Sequence, residues 1–262
     1  MTETTEPAGI DPLAAFRLDG KVALITGASS GLGARFGRVL AAAGADVALV
    51  ARRADRLREV AESIEGAQVV VGDVARPADV ERMAEEVLER FGRIDVLINN
   101  AGVGDVIRAE DQDLDHFTSV IQVNLIAAYH ASQVVGRHML ARGAGSIINV
   151  ASVLGFVSAG QFPQPGYAAS KGGLVNLSRE LAGQWSRRGV RVNALCPGWF
   201  HSEMTDELFS GDSGQAWIRR KTIMGRPGEA HELDGAVVWL ASDASSYVTG
   251  STVVVDGGYL AM

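Results

Sequence analysis

What most limits the folds open to this chain is an unbroken alternation of short, continuously apolar runs with helical patterns, from residue 20 to residue 256. Lys21–Thr26, Asp46–Ala51, Gln68–Val71, Ile94–Ile98, Ser146–Val150, Val190–Leu195 and Thr252–Val255 read as strands. Between them Leu32–Ala43, Arg53–Glu65, Pro77–Phe91, Asp115–Arg142, Gly166–Arg187 and Glu229–Ser242 read as helices. Strands that are apolar throughout, rather than at every second position, suit a parallel sheet covered on both faces. Parallel neighbours need crossover connections, and right-handed crossovers through helices build a doubly wound sheet. The expectation is one α/β domain over residues 19–262, a doubly wound parallel sheet of about seven strands with helices on both faces. Residues 1–18 read as a loosely ordered lead-in. One stretch, 198–227, lacks clean strand character and is rich in large apolar side chains, as expected of a lid or binding loop.

Composition narrows the classes of function. Apolar residues make up 47% of 262 and charged residues 21%, enough for a sizeable core and too little charge for disorder. The balance of 24 Lys+Arg against 31 Asp+Glu argues against nucleic acid, which needs a basic face. A single cysteine, Cys196, excludes an internal disulfide and a multi-cysteine metal site. His116, His130, His138, His201 and His231 show no metal-ligand spacing, so no metal is expected. The lead-in carries Glu3, Glu6 and Asp11 and no apolar run, unlike a signal or transit peptide. No stretch reaches the ~18 apolar residues of a membrane span, so a cytoplasmic protein is expected. Glycine is in excess, 31 residues without a Gly-X-Y period, and must serve tight turns or close backbone approach to something.

The sequence Thr26-Gly27-Ala28-Ser29-Ser30-Gly31-Leu32-Gly33 follows the first strand and opens the first helix. There, glycines let the backbone approach a pyrophosphate, and the helix start offers free N–H groups and a positive dipole end. A plain tight turn is the alternative, weakened by the position inside a βαβ unit. The spacing is Gly-xxx-Gly-x-Gly. With Asn99-Asn100-Ala101-Gly102, Tyr167-xxx-Lys171 and Pro197-Gly198 following in order, the chain resembles the short-chain dehydrogenase/reductase family over nearly its whole length after residue 18. The resemblance implies a single-domain Rossmann fold that binds a nicotinamide dinucleotide. Gly27, Ser29, Ser30, Gly31, Leu32 and Gly33 would cradle the pyrophosphate, and Asp73 and Val74 would meet the adenine, although Asp73 also suits a helix cap. Asn100, Ala101 and Gly102 would lie beside the adenine ribose, with Asn99 structural. Pro197 and Gly198 would face the nicotinamide, and Ser202 stands where many relatives have a Thr that contacts the carboxamide. The resemblance also implies a homotetramer built on two long helices and the C-terminal strand.

The end of the second strand bears on which nucleotide fits. An acidic residue there would bond the ribose 2′-hydroxyl and repel a 2′-phosphate. This chain has Ala51-Arg52-Arg53, with Arg56 and Arg58 beyond. Arg holds a phosphate by a bidentate fork, so NADP(H) is favoured and NAD(H) remains possible. Ser30 departs from this pattern, because some NADP-preferring relatives have a basic residue there.

Tyr167 and Lys171 are four residues apart and share one helix face. Reducing a carbonyl needs a proton donor at oxygen while hydride reaches carbon, and a nearby ammonium lowers a phenol's pKa. By resemblance Lys171 also bonds the nicotinamide ribose, Ser152 holds the substrate oxygen, and Asn124 anchors a water that links Lys171 to solvent. Ser152 to Tyr167 is two residues longer than is common in the family. The extra length lies in Phe156–Pro165, so Leu154, Gln161, Phe162 and Gln164 are expected to line the substrate pocket, with Trp199, Phe200 and Met204 from the lid. A hydrophobic lid points to a hydrophobic ketone or secondary alcohol as the small-molecule substrate, although the same side chains also suit a core cover. The expected activity is that of a carbonyl reductase or alcohol dehydrogenase. A 3-oxoacyl-thioester (acyl-carrier-protein) reductase is the alternative within the family, and a non-catalytic NADP(H)-binding sensor or scaffold the alternative outside it. A methyltransferase would have no use for Tyr167 and Lys171, and a zinc alcohol dehydrogenase fails on cysteine count.

Overall fold

The structure, a computed structural model, describes residues 11–201, 205 and 212–262. Seven strands form one parallel sheet: β1 Val22–Thr26, β2 Asp46–Ala51, β3 Gln68–Val71, β4 Val96–Asn99, β5 Gly145–Val150, β6 Val190–Pro197 and β7 Thr252–Val255. Their order across the sheet is β3-β2-β1-β4-β5-β6-β7. The winding reverses between β1 and β4, and in open sheets of this kind ligands bind outside the carboxyl ends of the strands at that point.

Successive residues of one strand feed opposite layers. Ala23 and Ile25 pack with Phe36 and Leu40 of α1 (Gly31–Ala42), Leu57 of α2 (Ala54–Glu62) and Leu240 of α8 (Asp234–Ala241). Val22 and Leu24 pack with Met83 and Val87 of α3 (Pro77–Phe91), Met139 of α5 (Ala127–Arg142) and Leu181 of α6 (Pro165–Trp185). Both layers are buried. That explains apolar runs without alternation, since every position of such a strand leaves water.

The helix expected over 115–142 is interrupted. α4 ends at Ile121, a π turn runs Gln122–Ile126, and α5 begins at Ala127; α4 starts at Leu114, capped by the Asp113 carboxylate on the His116 N–H. Single π turns inside helices accompany functional sites, and this one carries Asn124. The helix expected over 229–242 opens as a 3-10 turn, Ala230–Leu233, inside a reciprocal Glu229/Glu232 capping box. Within 198–227, α7 spans Asp212–Lys221. Of the lead-in, Ala14–Phe16 forms a 3-10 turn and Leu18 is buried. No helix among the described residues is long and apolar enough to cross a membrane.

One buried carboxylate ties three elements together. Asp95 accepts from the Val22 N–H at 2.9 Å, from Arg93 at 2.6 and 2.8 Å and from Arg142 of α5 at 2.7 Å. Burial pushes its carboxyl upward, but these hydrogen bonds outweigh it and hold the pKa below the ordinary value. Asp95→Ala is expected to cost about 3 kcal/mol in urea unfolding, because it strands two cations and a strand N–H. The sign of the pH effect follows from the lowered folded-state value. The contribution is complete above the unfolded value of about 4 and fades as pH falls through the folded one. The stability gap between wild type and Asp95→Ala should therefore close in acid.

Candidate active site

All but one of the residues expected to hold a nucleotide line a single cavity of about 440 Å³ at the carboxyl ends of β1 to β6. It runs from Arg52, Arg53, Asp73 and Val74, past Gly27, Ser29, Ser30, Gly31, Leu32 and Gly33, along Asn100, Ala101 and Gly102, to Ser152, Tyr167, Lys171, Pro197 and Gly198. Ser202 lies outside the described residues, as do Met204, Leu208 and Phe209. Thr205, not singled out from the sequence, lines the cavity and donates to the Phe200 carbonyl at 2.7 Å.

The glycine loop is shaped from below. Gly27 has φ +67° and Gly31 φ +52°, conformations that suit glycine. The Asn100 amide donates to the carbonyls of Thr26 and Gly27 at 3.0 and 3.2 Å, and the Thr26 hydroxyl accepts from the N–H groups of Asn100 and Ala101 at 3.1 Å. Asn100 thus fixes the loop's outward face. Asn99 is structural, donating to the Ala128 carbonyl, Ser132 and Asn149 inside the sheet. The Asp73 carboxylate accepts from the Ala75 N–H at 3.0 Å, a local turn bond that leaves it on the cavity wall; the cap of α3 is Arg76.

At the end of β2 the Arg53 guanidinium reaches back over the loop, to Ser30 Oγ at 2.8 Å and Ser29 Oγ at 3.2 and 3.3 Å. Arg52 lines the same mouth. The α1 N-terminus, two serine hydroxyls and two guanidinium groups form a donor set suited to several phosphate oxygens. The residues present therefore fit a dinucleotide with an added phosphate at the ribose end.

At the other end β5 delivers Ser152 and α6 delivers Tyr167 and Lys171. The Ser152 hydroxyl accepts from the Leu154 N–H at 3.1 Å, starting the turn Val153–Gly155, and lines the same cavity as the Tyr167 phenol. This turn sits directly on α6, since a Cβ on Gly155 would lie 3.0 Å from the Lys171 carbonyl. Lys171 is buried, donates to the Val150 carbonyl at 2.8 Å, and holds its Nζ 5.5 Å from the Tyr167 ring centre. Burial drives its ammonium down to about 8. Burial likewise raises the Tyr167 phenol, and the neighbouring Ser152 hydroxyl acts the other way. The phenol thus lies above its ordinary value, where a lowering was expected, because burial dominates. Cys196 is buried and its thiol is pushed up to about 12, chiefly by burial, which makes it a poor nucleophile.

Asn124 adjoins this group without lining the cavity. Its amide accepts from the Val103 N–H and donates to the Val103 carbonyl, both at 2.8 Å, and donates to Ser170 at 3.0 Å. A Cβ on Gly102 would lie 3.3 Å from Asn124 Oδ1 and 3.5 Å from Lys171 Nζ, so the three converge.

The expected substrate residues separate. Phe200 lines the main cavity. Leu154, Phe162 and Gln164 line a second cavity of about 430 Å³ under the loop 156–165, together with Phe156 and Pro163. Two of the expected residues line neither cavity. Gln161 is exposed. Trp199 lines neither, because its ring is buried edge-on against Trp217 at 5.1 Å and against Tyr259 at 5.9 Å. Phe162 also meets Trp217 edge-on at 5.1 Å. Edge-to-face aromatic packing of this kind is a core arrangement. Trp199, Trp217 and Ile218, all buried in one cluster, thus cover the domain.

Comparison with known proteins gives matches along nearly the whole chain. Residues 27–260 match the family model described as enoyl-(acyl carrier protein) reductase. The chain is 42% identical over 253 residues to a galactitol 2-dehydrogenase (L-tagatose-forming) of Cereibacter sphaeroides, covering 93% of this chain and 96% of that protein. It is 39% identical over 248 residues to a D-threitol dehydrogenase of Mycolicibacterium smegmatis, with 93% and 94% covered. It is 36% identical over 244 residues to a 3-oxoacyl-[acyl-carrier-protein] reductase of Salmonella typhimurium, with 92% and 97% covered. Among solved structures, a short-chain type dehydrogenase/reductase from Mycobacterium marinum superposes with a TM-score of 0.91 at 36% identity, covering 95% and 99%. A gluconate 5-dehydrogenase from Burkholderia cenocepacia in complex with NADP and tartrate superposes with a TM-score of 0.91 at 36% identity, covering 96% and 100%.

Proposed function

The chain belongs to the short-chain dehydrogenase/reductase family and is an NAD(P)-dependent oxidoreductase acting on CH–OH and C=O groups, and from that premise we propose that it interconverts a secondary alcohol of a polyol or sugar acid with the corresponding ketone, using NADP(H) in preference to NAD(H). The observation that carries this reading is the convergence of Ser152, Tyr167 and Lys171 on one end of the cavity whose other end is the glycine loop and its arginines. When bound, the nicotinamide would supply or accept the hydride. Tyr167 gives a proton to the carbonyl oxygen in reduction and takes it from the alcohol in oxidation. Ser152 holds that oxygen by a hydrogen bond. Lys171, buried beside the phenol, would bond the nicotinamide ribose, and its charge favours the phenolate that proton donation leaves. Asn124 fixes Val103 and Ser170 around this group.

Two points support a polyhydroxylated substrate. The galactitol and threitol dehydrogenases resemble the chain along more than nine tenths of its length. Trp199 and Trp217, which suggested an apolar lid, are buried against each other. A hydrophobic ketone is the second reading, favoured by the second cavity with Leu154, Phe156 and Phe162 on its wall. The 3-oxoacyl-thioester alternative rests on the Salmonella relative and on the exposed Arg219, Arg220 and Lys221 at the end of α7. Exposed Val254 on β7, Ile126 in the π turn and Tyr129 on α5 support assembly into a homotetramer.

Steady-state assays separate these readings. The wild type is expected to oxidise D-threitol, galactitol or gluconate faster than it reduces hydrophobic ketones or a 3-oxoacyl thioester. In the Arg52→Ala/Arg53→Ala variant the KM for NADP⁺ should rise at least about tenfold, as losing charge-assisted phosphate bonds implies. The KM for NAD⁺ should stay within a few-fold. Preference for the ketones or the thioester would move the substrate class to that reading. Tight NADPH binding without turnover across the panel would favour the non-catalytic sensor.

A further inference from the structure

A chain of side chains behind the catalytic helix has no part in the mechanism above. The first N–H groups of a helix need acceptors from outside it, and Gln164, the N-cap of α6, makes no side-chain capping bond. Instead the Gly166 N–H donates to Gln112 Oε1, 3.3 Å away on the loop that leads into α4. Gln112 Nε2 lies 3.0 Å from His116 Nδ1, and His116 Nε2 lies 2.9 Å from Asp105 Oδ2. One assignment of protons satisfies every contact. The Gly166 N–H only donates, so Gln112 Oε1 accepts. Its Nε2 then donates to a bare His116 Nδ1, and the imidazole proton sits on Nε2 and is given to the Asp105 carboxylate. The same loop presses on the reacting residue itself: a Cβ on Gly104 would lie 2.8 Å from Tyr167 Cδ2. Gly166 in turn is closed in by Phe117, Gln112 and Val120, which a Cβ there would meet at 3.3 to 3.5 Å.

We infer that Gln112 is a positioning residue for Tyr167: it anchors the first turn of α6, and the His116–Asp105 pair sets which end of its amide faces Gly166. The effect on turnover rests on the reading of Tyr167 as proton donor, whereas the anchoring does not. Gln112→Leu removes the acceptor at similar volume. Gln112→Glu keeps an acceptor for Gly166 and gives His116 a carboxylate partner.

Hydrogen exchange on the nucleotide-free protein and turnover on the best substrate of the panel test this together. Gln112→Leu is expected to speed exchange of the amides at 166–170 about tenfold, with the rest of α6 unchanged. It should lower kcat about tenfold by misplacing the phenol, with the NADPH Kd within twofold. Gln112→Glu should restore both to within about threefold of wild type. Unchanged exchange at 166–170 in Gln112→Leu overturns the anchoring, as does failure of Gln112→Glu to restore it. A uniform rise in exchange across the protein also overturns it, since that marks a merely structural residue. Altered exchange with unchanged kcat overturns only the link to Tyr167, and if Tyr167→Phe also kept its turnover, the functional reading would be at fault.

Discussion

Tyr167→Phe should lower kcat about 10³-fold while leaving NADPH affinity within a few-fold, a loss in the middle of the range for removing a general acid. The substitution deletes one oxygen and little else. The ring keeps its contact with Gly104, and Lys171 keeps its bond to the Val150 carbonyl. Ser152 keeps its bond from the Leu154 N–H, which holds the turn Val153–Gly155. Retained binding with lost turnover would therefore place the defect in proton transfer. Nucleotide fluorescence titration beside steady-state rates makes the comparison, and unchanged turnover would remove Tyr167 from the chemistry. The pH dependence has a definite sign. Burial holds the phenol above its ordinary value, so at neutral pH it carries its proton. Reduction, which needs that proton, should be supported at neutral pH, whereas oxidation should accelerate as pH rises and the phenolate becomes populated.

The parts of this fold that were legible in the sequence are those set by local chemistry. β2, β3, α3 and β7 have the bounds read from the residues, because a continuous apolar run or a proline at a helix start leaves few alternatives. The glycine loop, Ser152, Tyr167 and Lys171 were named from the motif resemblance, and the fold brings them to the wall of one cavity. What escaped depended on distant partners. The π turn at Asn124 answers to Val103 and Ser170, neither of them close to it in sequence. Asn100 was assigned to the ribose wall, yet its amide also shapes the glycine loop more than 70 residues away. Gln112 and His116 carried no signal, because nothing local says that Gly166 needs an acceptor. Trp199 misled for a related reason. An aromatic in an irregular stretch suits a lid and a core equally, and only its neighbours Trp217 and Tyr259 decide.

Gly33→Ala should reduce NADPH affinity at least about 100-fold and lower stability by about 3 kcal/mol, the upper part of the range for forcing a methyl into packed surroundings. The added Cβ would lie 2.3 Å from the Gly27 carbonyl oxygen and 2.4 Å from Asn100 Nδ2. Neither neighbour can yield cheaply. Gly27 sits at φ +67° with its own Cβ position only 2.7 Å from Ala101 Cα, so it is backed against backbone. Asn100 holds the Thr26 and Gly27 carbonyls, and moving its amide frees both. The methyl must therefore shift the turn that delivers the first N–H groups of α1, which couples the stability loss to the affinity loss. Gly183→Ala supplies the contrast. It lies in α6 on an exposed face with nothing within 4 Å of a Cβ, so the same substitution should stabilise by up to about 1 kcal/mol through helix propensity alone. Thermal melts of both variants, with nucleotide titration of each, distinguish a glycine held by its surroundings from one that is merely tolerated. Equal effects at the two sites would mean that the close approach at Gly33 does not shape the loop.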